Sequence, residues 1–281
     1  MFFLLLAVLA GTVVFFYFTN EGVATELRQV RQPNPNLFYV GIDVSATIDA
    51  DLLNDFKKNV VARLKNFIGD EAVSYNVSTF GNPGCGDTSV KGIVPKKDAK
   101  YVLKKSPADP TVFKYEVEDE IQGVSAAREP EAGKPLTTPL HHFLEQVLAK
   151  KSGGRVIIFS DVMNDDSDCT RQYPFPGRAV TKFGADKSGQ LVFLYPTPPL
   201  TNTPELNERI LKRQQEFIKK MEKLRTDGKV RAFFYHIPDD PGKRSGFMES
   251  QLQNSIPTTT FEIVWERASK MIDTIVSAVR G

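Results

Sequence analysis

The residues of this chain best suited to chemistry are oxygen donors that stand where apolar runs end. Asp43, Ser45 and Thr47 occupy alternate positions in FYVGIDVSATID, directly after an apolar run; Asp161 follows RVIIFS; and Thr138 stands in KPLTTPL, just ahead of a helical pattern. Two carboxylates and three hydroxyls are hard ligands, the class Mg²⁺ prefers, since that ion takes about six oxygens in near-octahedral geometry and readily keeps water. A second reading is helix capping, because Asp and Ser accept hydrogen bonds from the free N–H groups of a helix's first turn. Capping accounts for Asp43 and Ser45 but leaves Thr138 and Asp161 without a role.

Such a set needs a scaffold that brings distant segments together. Residues 37–42 read as a buried strand, and residues 49–68 as an amphipathic helix with Leu52, Leu53, Phe56, Val60, Val61, Leu64, Phe67 and Ile68 at helical spacing. Gly69 and Asp70 break that helix, and residues 72–80 alternate as a second strand. Residues 81–109, rich in Gly, Pro, Lys and Asp, read as a long surface insertion, and residues 111–117 as an edge strand. Further on come a helix at 139–150 entered through Pro, a buried strand at 155–160, another at 191–195, a long charged helix at 203–227, a last strand at 230–237 and a closing amphipathic helix at 261–279. The long helix carries a core-facing stripe of Leu206, Ile210, Leu211, Phe217, Ile218, Met221 and Leu224. Strands alternating with helices predict an α/β fold, doubly wound, with a mostly parallel sheet covered on both faces. Ligands of such sheets bind beyond the carboxyl ends of the strands, where strand order reverses. The oxygen donors all follow strands or open helices, so the fold gathers them on that rim.

In combination, D-x-S-x-T after the first strand, T-P-L opening a middle helix and a buried strand ending in I-I-F-S-D resemble the von Willebrand factor A domain and its metal-ion-dependent adhesion site. The resemblance extends over roughly residues 37–279. It implies that Asp43, Ser45, Thr47, Thr138 and Asp161 surround a divalent cation, Mg²⁺ or alternatively Mn²⁺ or Ca²⁺, some directly and others through water. It also implies that the ion, with few carboxylates bound to it, draws an acidic group of a partner protein into its open position. The family more often has Ser where this chain has Thr47, which keeps the hydroxyl and adds a methyl group near the ion. In the resembled strand order, the loops carrying Cys85 and Cys169 emerge on the same rim; a disulfide there would brace the binding face, and two free thiols are the other reading.

The remaining features bound the function. Among 281 residues, 36 are basic and 34 acidic, for a net charge of +2, and they are scattered rather than striped, which argues against nucleic acid. The opening MFFLLLAVLAGTVVFFYF has no charged side chain, no Lys or Arg before it, and bulky Phe15, Phe16, Tyr17 and Phe18 at its end, so residues 1–18 read as a retained transmembrane anchor, with a cleaved signal peptide as the other reading. Residues 19–36, with RQPNPN, read as a linker, and residues 37–281 as the folded domain. Arg28 and Arg31 after the span favour a cytoplasmic domain, whereas the cysteine pair favours an extracytoplasmic one; the latter is the expectation here. Asp165, Asp166 and Asp168 read as a solvated loop beside the ion, with a second cation site as the other reading. His141, His142 and His236 show no ligand spacing and read as structural. No phosphate-cradling Gly-rich loop or nucleophile motif is present, so a non-enzymatic binding domain is expected. A scaffold subunit of a membrane-associated assembly is the alternative, ahead of a metal-dependent phosphohydrolase.

Overall fold

The computed structural model describes residues 37–96, 99–127, 134–149, 154–185, 189–199 and 202–253. The apolar segment 1–18, the linker and the expected helix at 261–279 lie outside them. Among the described residues no helix is long and apolar enough to cross a membrane.

The first half of the chain contributes β1 (Leu37–Asp43), α1 (Ala50–Lys65), β2 (Ser74–Phe80), β3 (Lys91–Val94), β4 (Lys104–Lys105), α2 (Pro110–Phe113) and α3 (Asp119–Gln122). The second contributes α4 (Leu140–Ala149), β5 (Gly154–Phe159), α5 (Gly177–Gly184), β6 (Gly189–Tyr195), α6 (Pro204–Thr226), β7 (Arg231–His236) and α7 (Pro241–Gln253). The sheet runs β3-β2-β1-β5-β6-β7, with β4 also on β2. Strands β2, β1, β5, β6 and β7 are mutually parallel, and β3 and β4 are antiparallel to β2. Because the chain winds from β1 outward through β2 and then restarts at β5 in the other direction, strand order reverses between β1 and β5. The crevice of a doubly wound sheet lies at that point.

Alternate side chains of the central strands feed two apolar layers, as a strand's period of two requires. On one face Phe56 of α1 stacks on Phe159 of β5, with ring centroids 4.4 Å apart. On the other, Tyr39, Val156, Ile158, Leu191 and Phe193 pack with residues of α4, α5 and α6. There Phe143 of α4 stacks on Phe80 at 4.6 Å and lies over Gly41 of β1, where a Cβ would come within 2.5 Å of its ring. Helix α1 starts at Asp49, whose Oδ1 accepts the Leu52 N–H at 2.9 Å. Replacing Asp49 by Ala is expected to lower stability by about 1 kcal/mol, read as a shifted denaturant midpoint with an unchanged slope.

Three expectations are corrected. Residues 111–117 are not a strand: they lie in α2 and a following π turn, Lys114–Glu118. Asp109 accepts the Thr111 N–H at 2.6 Å and Pro110 opens the helix, so local capping overrides the alternation of TVFKYEV. The true period is four, with Phe113, Val117 and Ile121 fully buried and Tyr115 63% exposed. Residues 81–109 are not only a surface insertion, since they furnish β3 and β4 at the sheet edge. On α6 only Phe217 and Met221 of the expected stripe are buried, together with Gln214, and Leu206 is 43% exposed. Helices α5 and α7 carry weak signals in the sequence: α5 has 8 residues bounded by Gly177 and Gly184, and α7 contains Gly242 and Gly246 and few apolar residues.

Candidate functional site

Asp43 ends β1 fully buried, with Oδ1 accepting the Ser45 N–H at 2.9 Å and Oδ2 accepting the Ser160 hydroxyl at 2.7 Å. Since Asp49 caps α1, Asp43 and Ser45 are not its caps, and the capping reading of them is overturned. Ser45 Oγ lies 3.0 Å from Thr47 Oγ1, which donates to Asp161 Oδ2 at 2.7 Å. Thus Asp43, Ser45, Thr47 and Asp161 form one hydrogen-bonded chain across the β1/β5 crevice. Asp161 Oδ1 also accepts the Met163 N–H at 3.1 Å. Thr138 is attached differently. Its N–H donates to Asp165 O at 2.7 Å and its carbonyl accepts the Asp165 N–H at 2.9 Å, which ties the entry of α4 to the loop that follows Asp161. Among the described residues the Thr138 hydroxyl makes no hydrogen bond to the other four.

Three further residues shape the site. Ser160 holds Asp43 and also accepts the Val162 N–H at 3.0 Å; it stands next to Asp161 in IIFSD, so position alone could have flagged it. Gly81, at φ +86° after β2, is the near wall: a Cβ there would lie 2.8 Å from Ser45 N and 3.0 Å from Asp43 Oδ1. Gln214 of α6 donates to Asp161 O at 2.9 Å and to Pro196 O at 3.1 Å. Nothing in the charged text of that helix marks it.

Burial, and after it the charge of Asp161, pushes the Asp43 carboxyl up to about 7. Burial also raises the Asp161 carboxyl, and the Thr47 and Met163 hydrogen bonds and the Arg213 charge, which favour its charged form, do not offset it. The pair is therefore short of positive charge, the condition a cation relieves. Among the described residues no three His, Cys, Asp or Glu side chains gather to hold a metal, so a cation here would depend on the hydroxyls as well as the carboxylates. An all-oxygen set of this kind fits Mg²⁺ and excludes soft metals.

The rim loops are tied to one another. Cys85 Sγ and Cys169 Sγ are bonded at 2.00 Å with Cα atoms 5.8 Å apart, joining the loop after β2 to the loop after β5. Gly84 N–H donates to Pro135 O at 2.9 Å, and the Thr137 hydroxyl to Gly84 O at 2.7 Å. In the acidic loop, Asp166 is buried and accepts the Tyr173 N–H at 2.7 Å, while Asp165 and Asp168 are exposed. The histidines have separate partners: His141 Nδ1 lies 2.9 Å from Tyr173 O, His142 Nε2 3.1 Å from Asp87 Oδ1, and His236 Nε2 3.0 Å from Thr197 Oγ1.

No family model matches the sequence, and no curated protein matches it significantly. Among solved structures, the fold is similar to a von Willebrand factor type A structure from Catenulispora acidiphila, at 11% identity and TM-score 0.48 over 79% of this chain and 43% of that one. It is also similar to the pilus adhesin SpaC from Lactobacillus rhamnosus GG in its open conformation, at 12% identity and TM-score 0.48 over 81% of this chain and 31% of that one. A third similar structure is the PilB minor pilin from Streptococcus sanguinis, at 10% identity and TM-score 0.44 over 79% of this chain and 62% of that one. The chain thus spans less than two thirds of each of these proteins, and likenesses this distant carry no function across.

Proposed function

We propose that the domain is a protein-interaction or adhesion module of von Willebrand factor A type, which binds an acidic residue of a partner protein through a divalent cation. Asp43, Ser45, Thr47 and Asp161 would hold the ion, with Thr138 at the margin, and Mg²⁺ is the cation this donor set fits best. The observation that carries the reading is the buried Asp43 and Asp161 pair, linked by hydroxyls at the strand-order reversal and short of counter-charge. When bound, the ion would supply a Lewis-acidic position open to a carboxylate. The protein's own part is to hold the carboxylates and hydroxyls in place, through Ser160 on one side and the Met163 N–H on the other. This is a binding role and not a catalytic one. The apolar segment 1–18 would tether the domain to a membrane, and the cysteine pair suits an oxidising, extracytoplasmic compartment.

Calorimetric titration of the protein with Mg²⁺ and Mn²⁺, joined to a pull-down with and without EDTA, tests the reading. A saturable single site and a set of partners lost on chelation are the expected results. Absence of binding at millimolar metal, or capture indifferent to EDTA, would favour a scaffold in which the ion has no part. Affinity should rise with pH until about 7, because binding must displace the proton that burial keeps on Asp43.

A further inference from the structure

Gln214 is the polar member of the buried stripe of α6, alongside Phe217 and Met221. One of the two carbonyls it holds, Asp161 O at 2.9 Å, belongs to the peptide group joining Asp161 to Val162. The other end of that peptide group, the Val162 N–H, donates to Ser160 Oγ, and Ser160 donates to Asp43 Oδ2. In this orientation Val162 sits at φ +54°, in the left-handed region that a β-branched residue strongly disfavours. Turning the peptide over would return Val162 to the extended region. It would also withdraw its N–H from Ser160 and loosen the hold of Ser160 on Asp43. Something must oppose that relaxation, and the Gln214 amide is placed to do so. Arg213 adds a second grip on the same loop, its Nη2 donating to Asn164 O at 2.6 Å.

We propose that Gln214 is a positioning residue of the ion site: it latches the peptide group after Asp161 in the orientation that keeps Ser160 on Asp43 and Asp161 beneath Thr47. This rests on the ion-binding reading above for its purpose, though the latch itself is a property of the metal-free protein. It explains why a stripe otherwise made of apolar side chains carries an amide where it meets the rim. An apolar side chain there would leave the Asp161 and Pro196 carbonyls without their donor.

The test compares Gln214→Met, which keeps the length and removes the donor, with Met221→Ala, which loosens the same buried stripe two turns further along. Two quantities are read on the full chain: hydrogen exchange of the Val162 and Met163 amides without metal, and Mn²⁺ affinity. Gln214→Met should accelerate those two amides at least ~10-fold beyond any global change and weaken Mn²⁺ binding ~10–100-fold, the usual effect of losing an outer-shell partner. Met221→Ala should lower overall stability without singling out either readout. Exchange in Gln214→Met that matches the parent, or that rises no more than in Met221→Ala, overturns the proposal. So does faster exchange with unchanged Mn²⁺ affinity. If the parent itself binds no Mn²⁺, the ion-binding reading fails, and selective acceleration at Val162 and Met163 still decides for the latch.

Discussion

Without metal, Asp43→Asn is expected to be more stable than the parent at neutral to alkaline pH, although it removes a buried hydrogen-bonded carboxylate. The Asp43 carboxyl is pushed from an ordinary 3.8 up to about 7 by burial and by Asp161, so between those values the folded protein holds a proton that the unfolded chain releases. The resulting stability is fully present below about pH 4 and is lost as pH rises through about 7. Asn carries no charge at any pH and still offers Oδ1 to the Ser45 N–H. Its amide nitrogen cannot accept from the Ser160 hydroxyl as Asp43 Oδ2 does, so Asp43→Asn should be about 1 kcal/mol less stable than the parent at about pH 4 and gain at most ~4 kcal/mol relative to it as pH rises past about 7. Urea unfolding in EDTA across that range measures it. Mg²⁺ should stabilise only the parent, by the mass-action increment of a ligand that binds the native state. A variant less stable than the parent at every pH would show that the carboxylate pair is already compensated, and the case for a cation would fall with it.

Removing the disulfide is the other large effect. The bond between Cys85 and Cys169 closes a loop with a sequence separation of 84, and loop-closure entropy on that scale corresponds to about 4–5 kcal/mol, of which measured cases usually realise 2–4. The double variant Cys85→Ala with Cys169→Ala should thus lose ~3 kcal/mol in chemical unfolding. Its metal affinity should change far less. Asp43 belongs to β1 and Asp161 stands two residues past the end of β5, and the rim loops remain joined by the Gly84 to Pro135 and Thr138 to Asp165 hydrogen bonds. An unchanged unfolding midpoint would mean that the two sulfurs are not bonded in the native protein. A collapse of metal binding with a modest stability loss would mean that the bridge shapes the site itself.

Much of this architecture could be read locally. The runs that became β1, β5 and β6 are continuous and apolar because central parallel strands are buried on both faces, and the donors after them stand at the rim because that is where burial ends. Where two local signals competed, the reading failed. TVFKYEV alternates like an edge strand, yet the Asp109 cap and Pro110 draw it into a helix that buries Phe113 and Val117. Lys91–Val94 pairs with β2 although its surroundings read as loop, because an edge strand needs only one neighbour and little apolar surface.

From the residues alone followed the alternation of strands and helices and the standing of Asp43, Ser45, Thr47 and Asp161 where apolar runs end, since each is written in a few consecutive residues; the order of the strands, with its reversal between β1 and β5, is set by pairing across the sheet. Other features depended on partners far away in the chain. Asp43 is bound to Ser160 and not to the first turn of a helix; Gly81 forms a wall; Thr138 is fastened to Asp165 by its backbone; and Gln214 reaches from α6 to the carbonyl of Asp161. A hydrogen bond between residues tens of positions apart leaves no periodicity in either segment, so folding alone assigns it.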